Sequence, residues 1–477
     1  MPQPLTYIPP KPIALPPIIS LIRVMLQGDG DLLSLLPADA YKMPVGHLGY
    51  SRRQILIVND PALFRNILTD PLDIYPKNDL MVGALAPLVG DSIFVSSGDK
   101  WRQQRRMIDP AFSHMRLNQA FPAMTSAIDI YQARLDQLCT TGELFSLDLA
   151  MSHLTADIIC RTVFSTPLDS DVSREVFDAF TLFERSVAQV ELKRLIFESA
   201  WQQAPQKAEV TAACARIRLR LGELLDTHMT GPLTAWNDIA AEMIKAEDSQ
   251  TGKKFDRKEL IDELGVMFLA GHETTASVLT WAFFILASQH QTVARMRREI
   301  DEVVGDAHSE IAFEHVRQLT FTRSVFRETM RLYPPITFIP RVAAEATTIG
   351  KYKVKKGAMI MISPWTIHRS EASWKKPHHF DPDRFSVERE AELVPGAYLP
   401  FGLGPRVCVG AAFATTEATL ILASLIRRYD FVALDADKVR PVARLTTRPK
   451  QQIMCRVVYR NASRDAHQDA GSTTHSA

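Results

Sequence analysis

The chain has no Cys-x-x-Cys pair, and its five cysteines, at 139, 160, 214, 408 and 455, are odd in number and widely spaced. That argues against a disulfide framework or a structural zinc site and suits a reducing cytosol. A charge excess is missing too: 55 Lys and Arg face 54 Asp and Glu, a formal net charge of +1. Nothing in that balance favours nucleic acid or a membrane, so electrostatic docking would need a local patch. No apolar run reaches the roughly 20 residues that span a bilayer. The best, Ile13 to Leu26, is broken by Pro16-Pro17 and interrupted by Arg23. It has no basic leader and no cleavage signal. The expectation is a cytoplasmic protein with no transmembrane anchor and no nucleic-acid partner. Weak surface contact through Ile18, Ile19, Leu21 and Ile22 is the lesser alternative. Internal repeats and domain-separating linkers are also absent.

What is present is enough apolar material, 46% of 477 residues, for a sizeable core. Prolines crowd the first 17 positions, so residues 1–40 read as a proline-rich segment ahead of one domain over 41–461. The small, polar residues 462–477 read as a disordered tail. Gln54 to Val58 predicts a buried strand, and Asn59-Asp60-Pro61 predicts the start of a helix filled by Leu63 to Leu68. From about 100 to 300 the pattern is mostly helical. From 336 to 367 it turns to short β runs such as Thr347-Thr348-Ile349 and Met359-Ile360-Met361-Ile362. A final strand pair is expected between Val442 and Val458. The fold class is mainly α with a smaller β subregion.

Residues 401–410 read Phe-Gly-Leu-Gly-Pro-Arg-Val-Cys-Val-Gly. One cysteine sits at a loop-to-helix junction, framed by glycines, with Arg406 two residues ahead. A helix beginning near Val409 would aim its unpartnered first N–H groups at the sulfur. Gly402 and Gly404, lacking Cβ atoms, would let backbone pass close to a flat ligand. The run resembles the haem-binding loop of the cytochromes P450, Phe-x-x-Gly-x-Arg-x-Cys-x-Gly. Phe401, Gly404, Arg406, Cys408 and Gly410 fill all five fixed positions. The resemblance implies haem b held by the Cys408 thiolate, which favours O–O cleavage and hence activation of O2. The bland alternative is a buried structural cysteine.

Residues 256–288 form the longest helical candidate, opened by a plausible Asp256/Glu259 capping box. Its flanks are apolar all round, so it should be buried. Yet its middle reads Ala270-Gly271-His272-Glu273-Thr274-Thr275. A buried carboxylate is costly unless paired, and such breaks of local rules are expected at functional sites. The segment is similar to the oxygen-side helix of the same family, Ala-Gly-x-Glu-Thr-Thr. By that resemblance Ala270 and Gly271 let the helix lie close over the porphyrin. Thr274 holds oxygen and water beside the iron, and Glu273 relays protons. A threonine hydroxyl can also bond to its i−4 carbonyl and open the helix. The alternative is a packing kink with Glu273 in a buried salt bridge. Two rival motifs fail. His272-Glu273 starts a zinc-protease pattern, but position 276 is Ala; Gly402-x-Gly404 starts a dinucleotide fingerprint, but position 407 is Val.

Glu328 and Arg331 lie three apart on one helix face, ahead of Leu332-Tyr333-Pro334-Pro335. With Phe380-Asp381-Pro382-Asp383-Arg384-Phe385 they resemble two further family landmarks, which makes Glu328, Arg331 and Arg384 a structural triad. The haem propionates require cations. Trp101 and Arg105, at i and i+4, resemble a family donor pair, and Arg341 and Arg406 are the other candidates. Lys100, Arg102 and Arg106 read as a solvated face, or, more sharply, as a patch for an acidic electron-transfer partner.

The substrate pocket is expected to draw on Met81, Leu85, Leu88, Phe268, Ile336, Thr337, Phe338, Leu445 and Thr446. That inventory is apolar and suits a hydrophobic small molecule such as a fatty acid, terpenoid or steroid-like compound. Little chain follows the haem-binding region. Electrons are therefore expected from separate proteins, a ferredoxin with its reductase or a flavodoxin, drawing indirectly on NAD(P)H. The alternatives are a peroxygenase or isomerase, which the Glu273–Thr274 pair argues against, and a non-catalytic haem sensor.

Overall fold

The computed structural model describes residues 7–460 apart from 17, 21, 24–30, 49–50, 71–72, 78, 188–206 and 306–308. The expected tail 462–477 and Leu21 lie outside the described residues.

Helices dominate from 98 to 332, beginning with Gly98–Ile108, His114–Thr141 and Leu147–Phe164 and ending with Thr320–Leu332. Local signals act where the pattern places them. Asp60 caps helix Pro61–Leu68 by accepting from the N–H groups of Ala62 and Leu63, and Pro61 fills the first turn, where no N–H is needed. The long helix is Arg257–Leu286 and carries the expected capping box: Asp256 accepts from Glu259 N–H, and Glu259 accepts from Asp256 N–H. Helix Leu147–Phe164 packs along it, and the Thr155 hydroxyl donates to His272 O at 3.0 Å.

The strands among the described residues are β1 (Val45–His47), β2 (Ile55–Val58), β3 (Phe145–Ser146), β4 (Ile339–Val342), β5 (Thr347–Ile349), β6 (Tyr352–Val354), β7 (Met359–Ile362), β8 (Tyr429–Ala433), β9 (Pro441–Ala443), β10 (Thr447–Pro449) and β11 (Met454–Tyr459). The main sheet runs β1-β2-β7-β4, with β2 and β7 parallel and the outer pairs antiparallel. Every residue of β2 and β7 is buried. Cover on both faces explains why these strands are unbroken apolar runs rather than alternating ones.

The strand pair expected between Val442 and Val458 is present as β9–β10, and a further strand, β11, pairs elsewhere. β9 and β10 form a hairpin, whereas β11 pairs with β8 and β3. β10 ends at Pro449, whose ring cannot extend a ladder. Lys450-Gln451-Gln452 then carries the chain to a second sheet, where alternate residues Cys455 and Val457 are buried.

The first described residues are fastened to the domain. Phe380 N–H donates to Tyr7 O at 3.1 Å, the Tyr333 hydroxyl to Pro10 O at 2.5 Å, and Ala38 N–H to Leu15 O at 2.9 Å.

Candidate functional site

The Cys408 loop closes on itself. Cys408 N–H donates to Phe401 O at 2.9 Å, and Val407 N–H to Gly404 O at 3.0 Å. Gly402 and Gly404 have φ of 78° and 76°, left-handed values that other residues rarely adopt. A Cβ on Gly404 would also meet Leu68 O at 2.7 Å. These glycines therefore serve the loop's own path and its contact with helix Pro61–Leu68, a different reason from the expected approach to a ligand. The following helix is Ala411–Ile426, starting two residues later than expected.

Cys408 is exposed, although it lies deep among packed residues; Cys160, Cys214 and Cys455 are buried and Cys139 is half-buried. Burial pushes those four thiols up to about 11 or 12, as expected of inert small hydrophobes. Cys408 is also raised, by burial, while the Gly410 amide and Arg105 pull it down. The Gly410 amide, at the mouth of that helix, thus stabilises charge on sulfur without overcoming desolvation. A metal ion would complete the change, because a coordinating thiol is deprotonated outright.

The long helix has one open face. From Leu260 to Leu286 every residue is buried except Ala270, Gly271 and Thr274, which are half-buried. Positions i, i+1 and i+4 share a face. The Thr274 hydroxyl donates to Ala270 O at 2.7 Å. Gly271 owes its small size to the neighbouring helix, since a Cβ there would collide with the Ile159 side chain. His272 points the other way, into the rings of Phe177, Phe180 and Phe268.

Glu273 is buried and paired. It accepts from the Thr446 hydroxyl at 2.5 Å, from Arg448 Nε at 2.8 Å and from a second Arg448 nitrogen. Arg448 also donates to Ser152 Oγ at 3.1 Å. The salt bridge weighed as an alternative is therefore present. Arg448 was missed from the sequence; the signal was Glu273 itself, because a carboxylate in an apolar helix requires a cation.

Three cations form a group, Arg341 buried and Lys77 and Arg406 half-buried. Lys77 and Arg341 form an antiparallel bridge. Burial first, and then Arg406, hold Arg341 at about 10 and Lys77 well below its ordinary value, with Arg341 adding to the effect on Lys77. Arg406 itself is held at about 10 by burial, partly offset by Asp73. None of the three makes an ion pair with a described carboxylate. Arg406 lies 4.2 Å over the Trp101 ring and donates to Ser96 O at 3.1 Å. Lys77 donates to Phe94 O; nothing in its sequence setting marks it, and only the bridge to Arg341 brings it in. Arg105 is engaged elsewhere, with Asp109 at 2.6 Å and with Val407 O at 2.6 Å. It braces the cysteine loop. Lys100, Arg102 and Arg106 are each paired, with Asp91, with Asp73 and Asp99, and with Asp248. The basic stretch is charge-compensated locally, which fits the solvated face.

The triad is fully wired. Arg331 donates to both oxygens of Glu328 at 2.7 and 2.8 Å and to the carbonyls of His368, Pro377 and His379. Arg384 reaches Glu328 at 3.4 Å and donates to Lys375 O and Lys376 O. Both members of the Glu328–Arg331 pair are completely buried.

Of the expected pocket residues, Met81, Ile336 and Leu445 are half-buried, and Leu85, Leu88, Phe268, Thr337, Phe338 and Thr446 are buried. Leu88 packs near Gly265, nine residues or roughly 13 Å along the helix from Thr274, so it belongs to the core beside that helix. The segment bearing Met81, Leu85 and Leu88 is stapled to the long helix. Ile93 N–H donates to Glu263 at 2.9 Å, Asp91 N–H to Asp262 at 3.1 Å, and Arg218 to Leu88 O at 2.9 Å.

An accessible thiol, a group of cations with no described carboxylate in an ion pair, and an opened helix face define a site for a flat anionic cofactor bound through sulfur. Haem meets each requirement: iron for the thiolate and two propionates for the cations. The comparisons agree. A family model described as Cytochrome P450 matches residues 11–456. Cyclooctatin synthase of Streptomyces melanosporofaciens is 29% identical over 89% of this chain and 90% of that protein. Cyclooctat-9-en-7-ol 5-monooxygenase of the same organism is 31% identical over 87% of each. Protein LUTEIN DEFICIENT 5, chloroplastic, of Arabidopsis thaliana is 30% identical over 80% of this chain and 66% of that protein. The crystal structure of the cytochrome P450DA haem domain superposes with a TM-score of 0.78 at 22% identity, covering 89% of this chain and 91% of that one. The chain belongs to the cytochrome P450 family, and its class of activity is that of a cytochrome P450 monooxygenase.

Proposed function

We propose that this protein inserts one oxygen atom from O2 into a hydrophobic organic substrate, by hydroxylation or epoxidation of a terpenoid, fatty acid or steroid-like molecule. Electrons come from separate proteins, a ferredoxin with its NAD(P)H-dependent reductase or a flavodoxin. The observation that carries the reading is the accessible Cys408 thiol, on the same loop as Arg406, which groups with Arg341 and Lys77; none of these three cations forms an ion pair with a described carboxylate. Haem b bound there supplies oxygen activation, assisted by thiolate electron donation.

The chain's own residues do the rest. Cys408 ligates. Arg341, Arg406 and Lys77 neutralise the carboxylates of the cofactor. Thr274, bonded to Ala270 O, keeps its hydroxyl lone pairs on the open face, where they can accept from water and hold a proton-bearing chain in place. Glu273 stands one residue away but is held by Arg448 and Thr446. Proton delivery through Glu273 therefore requires that it leave Arg448. Met81, Ile336 and Leu445 are apolar and half-buried, and in this reading they meet the substrate. Similarity to an oxygenase named for cyclooctat-9-en-7-ol supports a largely apolar substrate.

The test is spectral titration of the haem-loaded protein against a panel of lipophilic compounds, reading the iron spin state, together with Cys408→Ala. The variant should lose the carbon monoxide band typical of thiolate-bound haem. Survival of that band would remove Cys408 as ligand. Turnover with hydrogen peroxide alone, at the reductase-supported rate, would replace the monooxygenase reading with a peroxygenase one.

A further inference from the structure

A second cavity, of about 580 Å³, lies apart from the thiol. It opens between the N-terminal segment and the turn after helix Pro364–Ile367, and it shares no lining residue with the site around Cys408 and Thr274. The wall formed by the N-terminal segment is fixed in place by the bonds to Tyr7 O, Pro10 O and Leu15 O.

Its polar side is built around a buried guanidinium. Arg369 is 4% exposed and stacks 3.5 Å from the Trp365 ring. It donates to Trp365 O and Leu332 O, while its Nε is buried with no partner. No described carboxylate forms an ion pair with it. Burying an unpaired charge is expensive, and burial lowers the Arg369 pKa to about 9. Two more cations line the cavity, Lys11 and Lys42, and neither forms an ion pair with a described carboxylate. Burial and then Arg369 hold Lys11 below its ordinary value. His378 is pushed down to about 4, first by burial and then by Lys11 and Arg369, so it is neutral near pH 7. Glu371 alone among the lining residues carries negative charge. Apolar surface completes the lining, chiefly the Trp365 ring and Ile13, which is 75% exposed.

We propose that this cavity is a second ligand site, for a small amphipathic anion with a carboxylate or phosphate head and a short apolar chain. The head pairs with the cations that have no carboxylate of their own, in charge-assisted hydrogen bonds. The chain covers Ile13 and the indole. The volume falls within the roughly 300–1,000 Å³ of small-molecule sites. The expected substrate inventory near Cys408 has no basic residue, so a cationic grip on an anionic head is what sets this cavity apart from it.

The test is calorimetric titration of the full-length, haem-loaded protein with the iron site saturated by an azole. The probes are octanoate, octyl phosphate, octanol and inorganic phosphate. Octanoate and octyl phosphate should bind with the azole present, and octanol and inorganic phosphate should bind at least tenfold more weakly. Joint Lys11→Glu and Lys42→Glu substitution should weaken both anions at least tenfold and leave the azole affinity unchanged. Ile13→Ser should weaken octyl phosphate but not inorganic phosphate. Arg369 stays intact, because it holds two main-chain carbonyls. Phosphatidylglycerol vesicles that displace octyl phosphate would place the natural head on a lipid; failure to displace it would make the ligand a free metabolite-sized anion. Loss of all anion binding on azole addition, equal binding of octanol, or indifference to the double charge reversal would overturn the proposal.

Discussion

Arg448, on β10, grips Glu273, on the long helix, across 175 residues of sequence, with Nε 2.8 Å from one carboxylate oxygen and a second nitrogen on the other. The pair is desolvated, at 18% and 4% side-chain exposure. A fork-to-fork contact of this kind combines geometric specificity with strength.

Arg448→Leu should strand that carboxylate. Removing one partner of a buried pair costs about 3–5 kcal/mol; the residual exposure of Arg448 places the expectation at the low end. Arg448→Lys should recover only part, because a lysine cannot bind both oxygens in the same plane. Urea unfolding of the three proteins measures this. A loss below about 0.5 kcal/mol in the Leu variant would mean that the pair is not desolvated in solution.

Thr274→Ala should leave substrate-induced spin shifts intact while a larger share of reducing equivalents appears as peroxide. Thr274→Ser, which keeps the hydroxyl, should restore coupling. Product formed per NAD(P)H consumed is the measurement, and unchanged coupling in the Ala variant removes Thr274 from the proton path.

Glu417 sits in helix Ala411–Ile426, completely buried, with Thr275 as its one polar side-chain neighbour and no described cation beside it. Burial raises its pKa from an ordinary 4.5 to about 8. The folded protein therefore holds this proton while the unfolded chain releases it. Stability conferred by the group is full below about 4.5 and is lost as pH rises to about 8. Glu417→Gln should match the parent in unfolding free energy near pH 4 and exceed it increasingly up to pH 8, by an amount on the order of a few kcal/mol. A difference independent of pH would refute the assignment. Glu263, raised to about 8 mainly by burial, should behave in the same direction.

Arg331→Met should be more damaging than loss of a single ion pair. The guanidinium satisfies Glu328 and three carbonyls at once, and each buried group left unpaired costs roughly 1–3 kcal/mol. The expected outcome is little soluble protein and poor haem retention. Well-folded, haem-replete Arg331→Met would show that the network is dispensable.

Much of this was legible in the sequence because the signals are local. The Asp256/Glu259 cap, the Asp60-Pro61 helix start and the cysteine loop each depend on residues within about ten positions. The helix-centre anomaly at Glu273 was also visible, but its solution was not. Arg448 and Lys77 reach the site through strand pairing and chain reversal, and no short-range pattern encodes that. The β9–β10 pair was local enough to read, whereas the pairing of β11 with β8 and β3 was not, for the same reason. Gly271 and Gly404 were noted for smallness, yet what they make room for, Ile159 and Leu68, only the packing reveals.

The β9–β10 hairpin deserves a final consequence. Thr446 and Arg448 hold Glu273, while Thr447 O accepts from Ser277 Oγ at 2.7 Å and Trp281 Nε1 at 2.8 Å. Three consecutive residues are thus riveted to the long helix, and Leu445, just before them, is the half-buried side chain at the tip. Leu445 is a fixed tooth on a clamped rack. Exchanging it for smaller or larger apolar residues should regrade which substrates pass, without loosening the frame that holds it.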